Sequence, residues 1–111
     1  NRSFVTNRAE DSSAFVMQAG DDNESRIIQR EDSPPTENFF ASVSQSGNGN
    51  MSLIEQDGND HSATLIQSGN GNMSEIFQTG SFNTAVVTQM TDGNMSTVTQ
   101  SGSGNMATVT Q

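Results

Sequence analysis

The 111-residue sequence contains no cysteine, tryptophan or tyrosine and only two prolines. Hydrophobic residues make up 30% of the chain and aromatic residues 5%. Large apolar side chains are therefore too few for a conventional thick core, and a composition of this kind is also found in disordered chains. No apolar run reaches the length of a transmembrane helix. A folded state requires a regular pattern that compensates for the thin supply of hydrophobic residues.

Basic residues are also scarce, and the formal net charge is -9. All four lie in the first thirty positions, as Arg2, Arg8, Arg26 and Arg30, whereas the chain from residue 31 onward carries eight acids and no lysine or arginine. Phosphate contacts need clustered cations, so nucleic-acid binding is not expected. Attachment to an anionic membrane surface is not expected for the same reason.

What the chain does have is a repeat of eleven residues marked by glutamine. The glutamines stand at Gln18, Gln29, Gln45, Gln56, Gln67, Gln78, Gln89, Gln100 and Gln111, and Asn7 holds the place one unit earlier. One interval, from Gln29 to Gln45, is sixteen residues long and contains Pro34 and Pro35. Because proline cannot donate a ladder hydrogen bond, this interval predicts an inserted loop at 30–38.

Counting back by twos from each glutamine gives a second regularity. The residue two before is always Val, Ile or Leu, the residue four before alternates between Ser and Ala, and the residue six before is usually Asn. Alternation by two is the side-chain period of a β-strand. The Ser/Ala alternation doubles the true repeat to 22 residues, or two strands.

The pattern predicts an all-β fold in one domain over residues 1–111. We expect a β-solenoid of five strand-turn-strand coils, with two parallel, in-register sheets and cross-β packing. The predicted strands are 1–7, 12–18, 23–29, 39–45, 50–56, 61–67, 72–78, 83–89, 94–100 and 105–111. Sharp turns between them are predicted at the glycines two residues after glutamine. These turn glycines are Gly20, Gly47, Gly58, Gly69, Gly80 and Gly102.

The recurrence of glutamine has a physical explanation in such a fold. An inward amide needs hydrogen-bond partners, and the same residue in the next coil can supply them, so that amides stack along the coil axis. The predicted inward amides are the nine glutamines above together with Asn7, Asn23, Asn50, Asn72, Asn83, Asn94 and Asn105.

The repeat register runs from Asn1 to Gln111 without a recognisable capping element. Solenoids that stay monomeric need caps, and an unpaired strand edge templates the addition of another chain. We therefore expect the first coil of one copy to dock on the last coil of another. A contact of this head-to-tail kind produces a filament, with the chain itself as its partner.

The repeat Q-x-G-x-x-N-x-A-x-x-x-Q resembles the curlin family, the subunits of bacterial extracellular amyloid fibres called curli. The matching residues include Gln78, Gly80, Asn83, Ala85 and Gln89, and the resemblance covers essentially the whole chain. It implies export from a Gram-negative cell as an unfolded chain, assembly at the surface, and a role in biofilm matrix and adhesion. It also implies a nucleator subunit, an outer-membrane secretion channel and accessory chaperones as partners.

The chain departs from the family pattern in its inserted loop, in serine at the middle of the first strand of each coil, and in the asparagines that open both strands. The final repeats match the motif well and carry no basic tail. The resemblance therefore favours the major fibre subunit over the nucleator.

Other functions receive weaker support. No Ser/His/Asp set, nucleophilic thiol or phosphate loop is present, so neither catalysis nor a cofactor is expected. His61, with Asp57 and Asp60 nearby, is read as a substitute for asparagine, although a metal site stays an alternative. The turn acids Asp21, Asp22, Asp57, Asp60 and Asp92 are read as solvated charge, with calcium as the alternative.

The outward residues leave two further questions open. Thr-x-Thr pairs such as Thr97 with Thr99 and Thr108 with Thr110 suggest, as a second hypothesis, a monomeric ice-binding solenoid. Ordinary strand propensity explains them more simply. A second set of outward residues is either ordinary surface or a set of stripes through which fibres bundle. It consists of Phe15, Phe40, Phe77, Met51, Met73 and Met95.

Overall fold

The computed structural model describes residues 1–30 and 38–111. The predicted inserted loop at 30–38 therefore lies outside the described residues, apart from its two ends. The rest forms ten strands. They are β1 (Arg2–Asn7), β2 (Ser13–Ala19), β3 (Glu24–Arg30), β4 (Phe40–Ser46), β5 (Met51–Asn59), β6 (Ser62–Ser68), β7 (Met73–Ser81), β8 (Thr84–Gln89), β9 (Met95–Ser103) and β10 (Met106–Thr110). No helix that could span a membrane is found in these described ranges.

The strands form two five-stranded parallel sheets. Sheet A has the order β1-β3-β5-β7-β9, and sheet B has the order β10-β8-β6-β4-β2. Each odd strand and the even strand after it make one coil, so that β1 and β2 form coil 1 and β9 and β10 form coil 5. The predicted two-sheet solenoid of five coils is confirmed.

Register is preserved from coil to coil. Gln56 pairs with Gln78 and Ile54 with Ile76 across 22 residues, while Ile27 pairs with Ile54 across 27 residues because the inserted loop lies between them. The five extra residues therefore leave the pairing on either side unchanged. The preserved register keeps the same face buried on both sides of the interval, since a one-residue slip would turn every inward side chain outward.

The core between the sheets is narrow. Its branched side chains, such as Ile54, Leu65 and Ile76, are fully buried, and so are Ala63 and Ala85. Serine at the corresponding inward position of sheet A and alanine in sheet B let the sheets approach, and the smallest principal extent of the molecule is 12 Å. This matches two sheets packed about 10 Å apart. Few large side chains are needed because each coil encloses so little volume.

Strand boundaries differ from the predicted ones in a consistent way. Each strand begins one residue after the asparagine position, because that residue lies in the turn. Strands β5, β7 and β9 have nine residues and continue past the glutamine into the turn. Gly58 pairs with Gly80 and Asn59 with Ser81, so the turn backbone also stacks from coil to coil.

Candidate functional site: the stacked amide columns

The glutamines form one column in each sheet, and Gln56 illustrates the geometry. Its Nε2 donates to Oε1 of Gln78 at 3.0 Å and to the carbonyl of Phe40 at 3.1 Å. Its Oε1 accepts from Nε2 of Gln29 at 3.0 Å. The side chain is fully buried. All three bonds are therefore made inside the protein, which removes the cost of burying an amide.

The same side-chain bond joins glutamines along both columns, always from the earlier coil to the later one. The bonded pairs are Gln18 with Gln45, Gln29 with Gln56, Gln45 with Gln67, Gln56 with Gln78, Gln67 with Gln89, Gln78 with Gln100 and Gln89 with Gln111, at 2.8–3.0 Å. A single direction of donation gives the columns a polarity along the coil axis.

The second N–H of each glutamine joins the two sheets. Gln67 of sheet B donates to the carbonyl of Met51 in sheet A at 3.0 Å, and Gln78 of sheet A donates to the carbonyl of Ser62 in sheet B at 3.1 Å. Both acceptors open a strand of the opposite sheet. One amide therefore holds successive coils together and also closes the edge of the core.

The column of sheet A is interrupted at Asn7. Asn7 is shorter than glutamine by one methylene, and its side chain bonds locally to the carbonyl of Ser12 and the amide of Ala9. Oε1 of Gln29 is fully buried and has no partner among the described residues. A buried acceptor without a partner costs about 1–3 kcal/mol.

The asparagines form a second pair of columns, and their side chains bond to backbone groups. Oδ1 of Asn50 accepts the backbone N–H of Asn72 at 3.0 Å. Its Nδ2 donates to the carbonyl of Ser46, four residues earlier, and to the carbonyl of Gly69 in the next coil. Asn23, Asn50 and Asn83 thus each close their own turn and bind the backbone of the coil that follows.

Three residues replace asparagine, all in sheet B; His61 reproduces both kinds of bond, and Ser12 reproduces the bond to the following coil. His61 places Nε2 3.1 Å from the carbonyl of Asp57, and its Nδ1 accepts the N–H of Asn83 at 3.3 Å. Oγ of Ser12 accepts the N–H of Phe39 at 3.3 Å. Phe39 offers no such acceptor, and its ring lies against that of His61 with centroids 5.5 Å apart.

His61 requires its neutral form for this role. Nδ1 accepts a hydrogen bond, so the remaining proton is on Nε2, where it is donated to Asp57. Desolvation by burial lowers the pKa of His61, opposed by its bond to the Asp57 backbone and by the charges of Asp57 and Asp60. No group of three or more metal-ligating side chains occurs in the part of the chain that the structure describes.

The turns contain two positions with positive φ. Only the first, two residues after the glutamine, was predicted from the sequence. Gly47, two residues after Gln45, has φ of 98°, and a Cβ there would lie 2.0 Å from the carbonyl oxygen of Gly69. Gly49, four residues after the glutamine, has φ of 67° with nothing within 4 Å. At Gly47 the next coil therefore excludes a side chain, whereas Ala9 and Thr91 take the same turn position without a positive φ. The second position tolerates Asp11, Asp22, Asp60 and Phe82 at positive φ.

A third kind of polar column lies in the turns that join one coil to the next. It was not predicted from the sequence. The N–H of Asp21 donates to Oδ1 of Asn48, that of Asn48 to Oδ1 of Asn70, and that of Asn70 to Oδ1 of Asp92, at 2.7–2.9 Å. Asp92 therefore takes part in the stack. Its signal was the recurrence of Asn or Asp three residues after every second glutamine.

The fold and its amide columns place this protein in the class of cross-β solenoids, in which stacked amides join successive coils. The profile of the Curlin associated repeat matches residues 37–69, 53–80, 69–102 and 83–111, which together span more than half of the chain. The chain belongs to the curlin family, a family of structural amyloid subunits. Comparison with curated proteins gives no significant match.

Proposed function

We propose that this protein is a structural subunit of an extracellular, curli-like amyloid fibre that grows by head-to-tail stacking of its coils. One observation carries the proposal. Successive coils repeat by one translation with the same backbone register, and in sheet B the same glutamine bond joins every pair of neighbouring coils. A second copy placed by that translation on coil 5 meets the bonding pattern that β9 and β10 already offer.

The side-chain bonds at the two ends support this placement. Among the described residues Gln111 Nε2 donates to the carbonyl of Met95 alone, at 3.1 Å, whereas Gln89 also donates to a glutamine. If coil 1 of a second copy is stacked on coil 5, Gln18 of that copy takes the next place in the column after Gln111. Oε1 of Gln18 accepts no bond from the described part of its own chain. The sheet B column would therefore continue across the joint.

The backbone supports the same joint. Within the described sheets, β9 and β10 each pair with one neighbour, as do β1 and β2 at the other end. Such edges template the addition of a strand from another chain. Stacking coil 5 on coil 1 would join odd strand to odd and even to even. The contact is heterologous and does not close, which gives a filament.

The sheet A joint would be the weaker half. There Gln100 would meet Asn7, whose side chain already bonds to Ser12 and Ala9. Sheet B would then supply the side-chain bond across the joint, while both sheets supply backbone bonds.

Electron microscopy of purified chain after removal of denaturant tests assembly. The expected result is unbranched fibres that appear without any cofactor and give a cross-β diffraction spacing near 4.8 Å. Particles that stay monomeric would refute self-assembly through these ends. The proposed role as major subunit requires that fibres form from this chain alone.

The biological setting follows from family membership and is part of the proposal. We place the fibre at the surface of a Gram-negative cell, in biofilm matrix and adhesion, with a nucleator, a secretion channel and accessory chaperones as partners. Immunogold labelling of intact cells should decorate surface fibres, and deleting the gene should reduce biofilm mass. The Thr-x-Thr pairs are not continued along sheet A, where Thr97 adjoins Glu75 and Thr99 adjoins Phe77, so ice binding is not proposed.

A further inference from the structure

The two outer faces of the solenoid differ in charge, although both inner faces carry the same rows of branched aliphatic residues and glutamine. The charged residues within the described strands all lie on sheet A. They are Arg2, Glu24, Arg26, Arg30, Glu55, Asp57 and Glu75. The five described strands of sheet B contain no charged residue. Their outward positions carry Ser, Thr, Ala, Val, Ile, Met and Phe.

We propose that this uncharged outer face of sheet B is a lateral interface, which packs against the same face of a second fibre of this chain. The inference rests on the proposed fibre, because it concerns how finished filaments associate. The face is built from β2, β4, β6, β8 and β10, and its partner is a second copy.

Charge selects this face over the other surfaces. A chain with a net charge of -9 repels its copies, and the repulsion is repeated along a filament. Packing through sheet A would bury Glu24 and Glu75, and each desolvated charge without a partner costs several kcal/mol. The turns carry further acids, among them Asp21 and Asp92. The outer face of sheet B buries no charge when two copies meet.

The side chains on the face suit a dry contact. Phe15 and Phe40 lie diagonally across β2 and β4 with ring centroids 6.3 Å apart, and they are 61% and 41% exposed. Met17 and Ile66 are also exposed. Between them stand rows of Ser and Thr, such as Ser42 next to Thr64. In-register parallel strands with short side chains are the geometry in which facing sheets interdigitate.

The area of the face makes this association depend on polymerisation. Five strands about 4.8 Å apart and seven residues long present about 550 Å² per copy. A stable interface typically buries about 800 Å² on each partner. Single copies are therefore too small to pair through this face, but a filament of two or more stacked copies exceeds that area. Lateral association should follow elongation and should not precede it.

A matched pair of threonines tests the proposal. Thr110 lies outward on β10 next to Thr88, and Thr99 lies at the same strand position on β9 next to Phe77. Both are exposed, and neither adjoins a charge. Thr110→Glu should yield single filaments, and any change in its elongation rate should be shared by Thr99→Glu, because both threonines lie in coil 5 at the proposed joint. Thr99→Glu should bundle like the parent, as judged by filament width in electron micrographs.

Charge complementation identifies the partner. Thr110→Lys filaments should also stay single, and mixing them with Thr110→Glu filaments should restore bundles. Thr99→Lys filaments should bundle by themselves, and they should not take labelled Thr110→Glu filaments into their bundles. Bundling of Thr110→Glu filaments by themselves, dispersal by Thr99→Glu, or failure of the first mixture would overturn the sheet B interface while the fibre proposal stands. Absence of any fibre from the parent chain would overturn both.

Discussion

The glutamine and asparagine columns run side by side through the same solenoid, yet they differ in what they tolerate. The glutamine columns contain a single replacement, Asn7. The asparagine column of sheet B contains three, Ser12, Phe39 and His61. Glutamine donates to an identical side chain, so each member needs the next one to have the same length. Asparagine bonds to backbone atoms, which every residue type supplies.

This difference explains where the repeat is strict. A replacement in an asparagine column succeeds if it offers an acceptor to the next coil, as Oγ of Ser12 and Nδ1 of His61 do. A replacement in a glutamine column leaves a neighbour unpaired, as Asn7 leaves Gln29. A side chain that stacks on its own kind must be the same residue in every coil. A side chain that bonds to backbone groups can be replaced by another that offers an acceptor.

The largest effect is expected when a glutamine in mid-column becomes charged. Gln56→Glu places a carboxylate in a fully buried site and removes the N–H groups that reach Gln78 and Phe40. An uncompensated buried charge costs about 3–5 kcal/mol. Assembly followed by thioflavin fluorescence should be slowed at least tenfold or abolished at pH 7.

The adjacent outward residue is the control for that change. Glu55→Gln removes an ion pair with Arg30 in which both side chains are partly exposed. Exposed pairs contribute about 0–1 kcal/mol. Assembly should be nearly unchanged, and equal damage from the two substitutions would show that the inward face has been assigned wrongly.

A smaller loss is expected when a glutamine is only shortened. Gln78→Asn removes one methylene, so the bonds that join it to Gln56 and Gln100 are lost, as they are naturally at Asn7. We expect a loss of about 1–3 kcal/mol in the free energy of unfolding, measured by urea denaturation. The equivalent shift in an asparagine column, Asn72→Ser, should cost less, because serine keeps an acceptor. A larger loss from Asn72→Ser would reverse the comparison.

The natural gap offers a test with the opposite sign. Asn7→Gln should continue the sheet A column and give Oε1 of Gln29 a donor. The expected gain is about 1 kcal/mol in the free energy of unfolding, together with faster elongation because Gln100 of a neighbouring copy gains a matching residue. No gain in either measurement would show that column continuity is not what limits coil 1.

The smallest effect concerns His61 and depends on pH. Because burial lowers its folded pKa below the ordinary value of 6.5, the unfolded chain binds the proton first as pH falls. The stability that neutral His61 contributes is complete above pH 6.5 and is lost as pH falls through its folded pKa. His61→Asn should change stability at pH 7.5 by less than about 1 kcal/mol and should flatten this dependence. Urea midpoints of the parent and of His61→Asn at pH 5 and pH 7.5 would measure this dependence. The same change of midpoint with pH in both proteins would contradict the role assigned to His61.

Sequence reasoning reached the architecture because the signals that carry it are local and repeated. The two-residue alternation, the Ser/Ala doubling and the constant spacing of glutamine suffice to predict two parallel sheets with five coils. The interruption of the glutamine column at Asn7 was not predicted from the sequence, because the loss of one methylene matters only once the column geometry is known. The same applies to Gly47 and Gly49, which look alike in sequence and differ in their distance from the next coil.

Two other features were present in the sequence and were not recognised. The column of Asn48, Asn70 and Asp92 requires that alternate turns be compared separately, as alternate strands were. The confinement of charge to sheet A is visible once odd and even strands are sorted. Both are consequences of the 22-residue repeat, which assigns a different environment to each half.

The central claim is that the coil axis continues from one copy into the next, and mass per length measures it directly. Dark-field scanning transmission electron microscopy of single filaments should give one 11.8 kDa chain per about 24 Å, the height of five coils about 4.8 Å apart. One chain per about 4.8 Å would mean that each copy lies flat in a single layer. That result would contradict the solenoid as the repeating unit of the fibre.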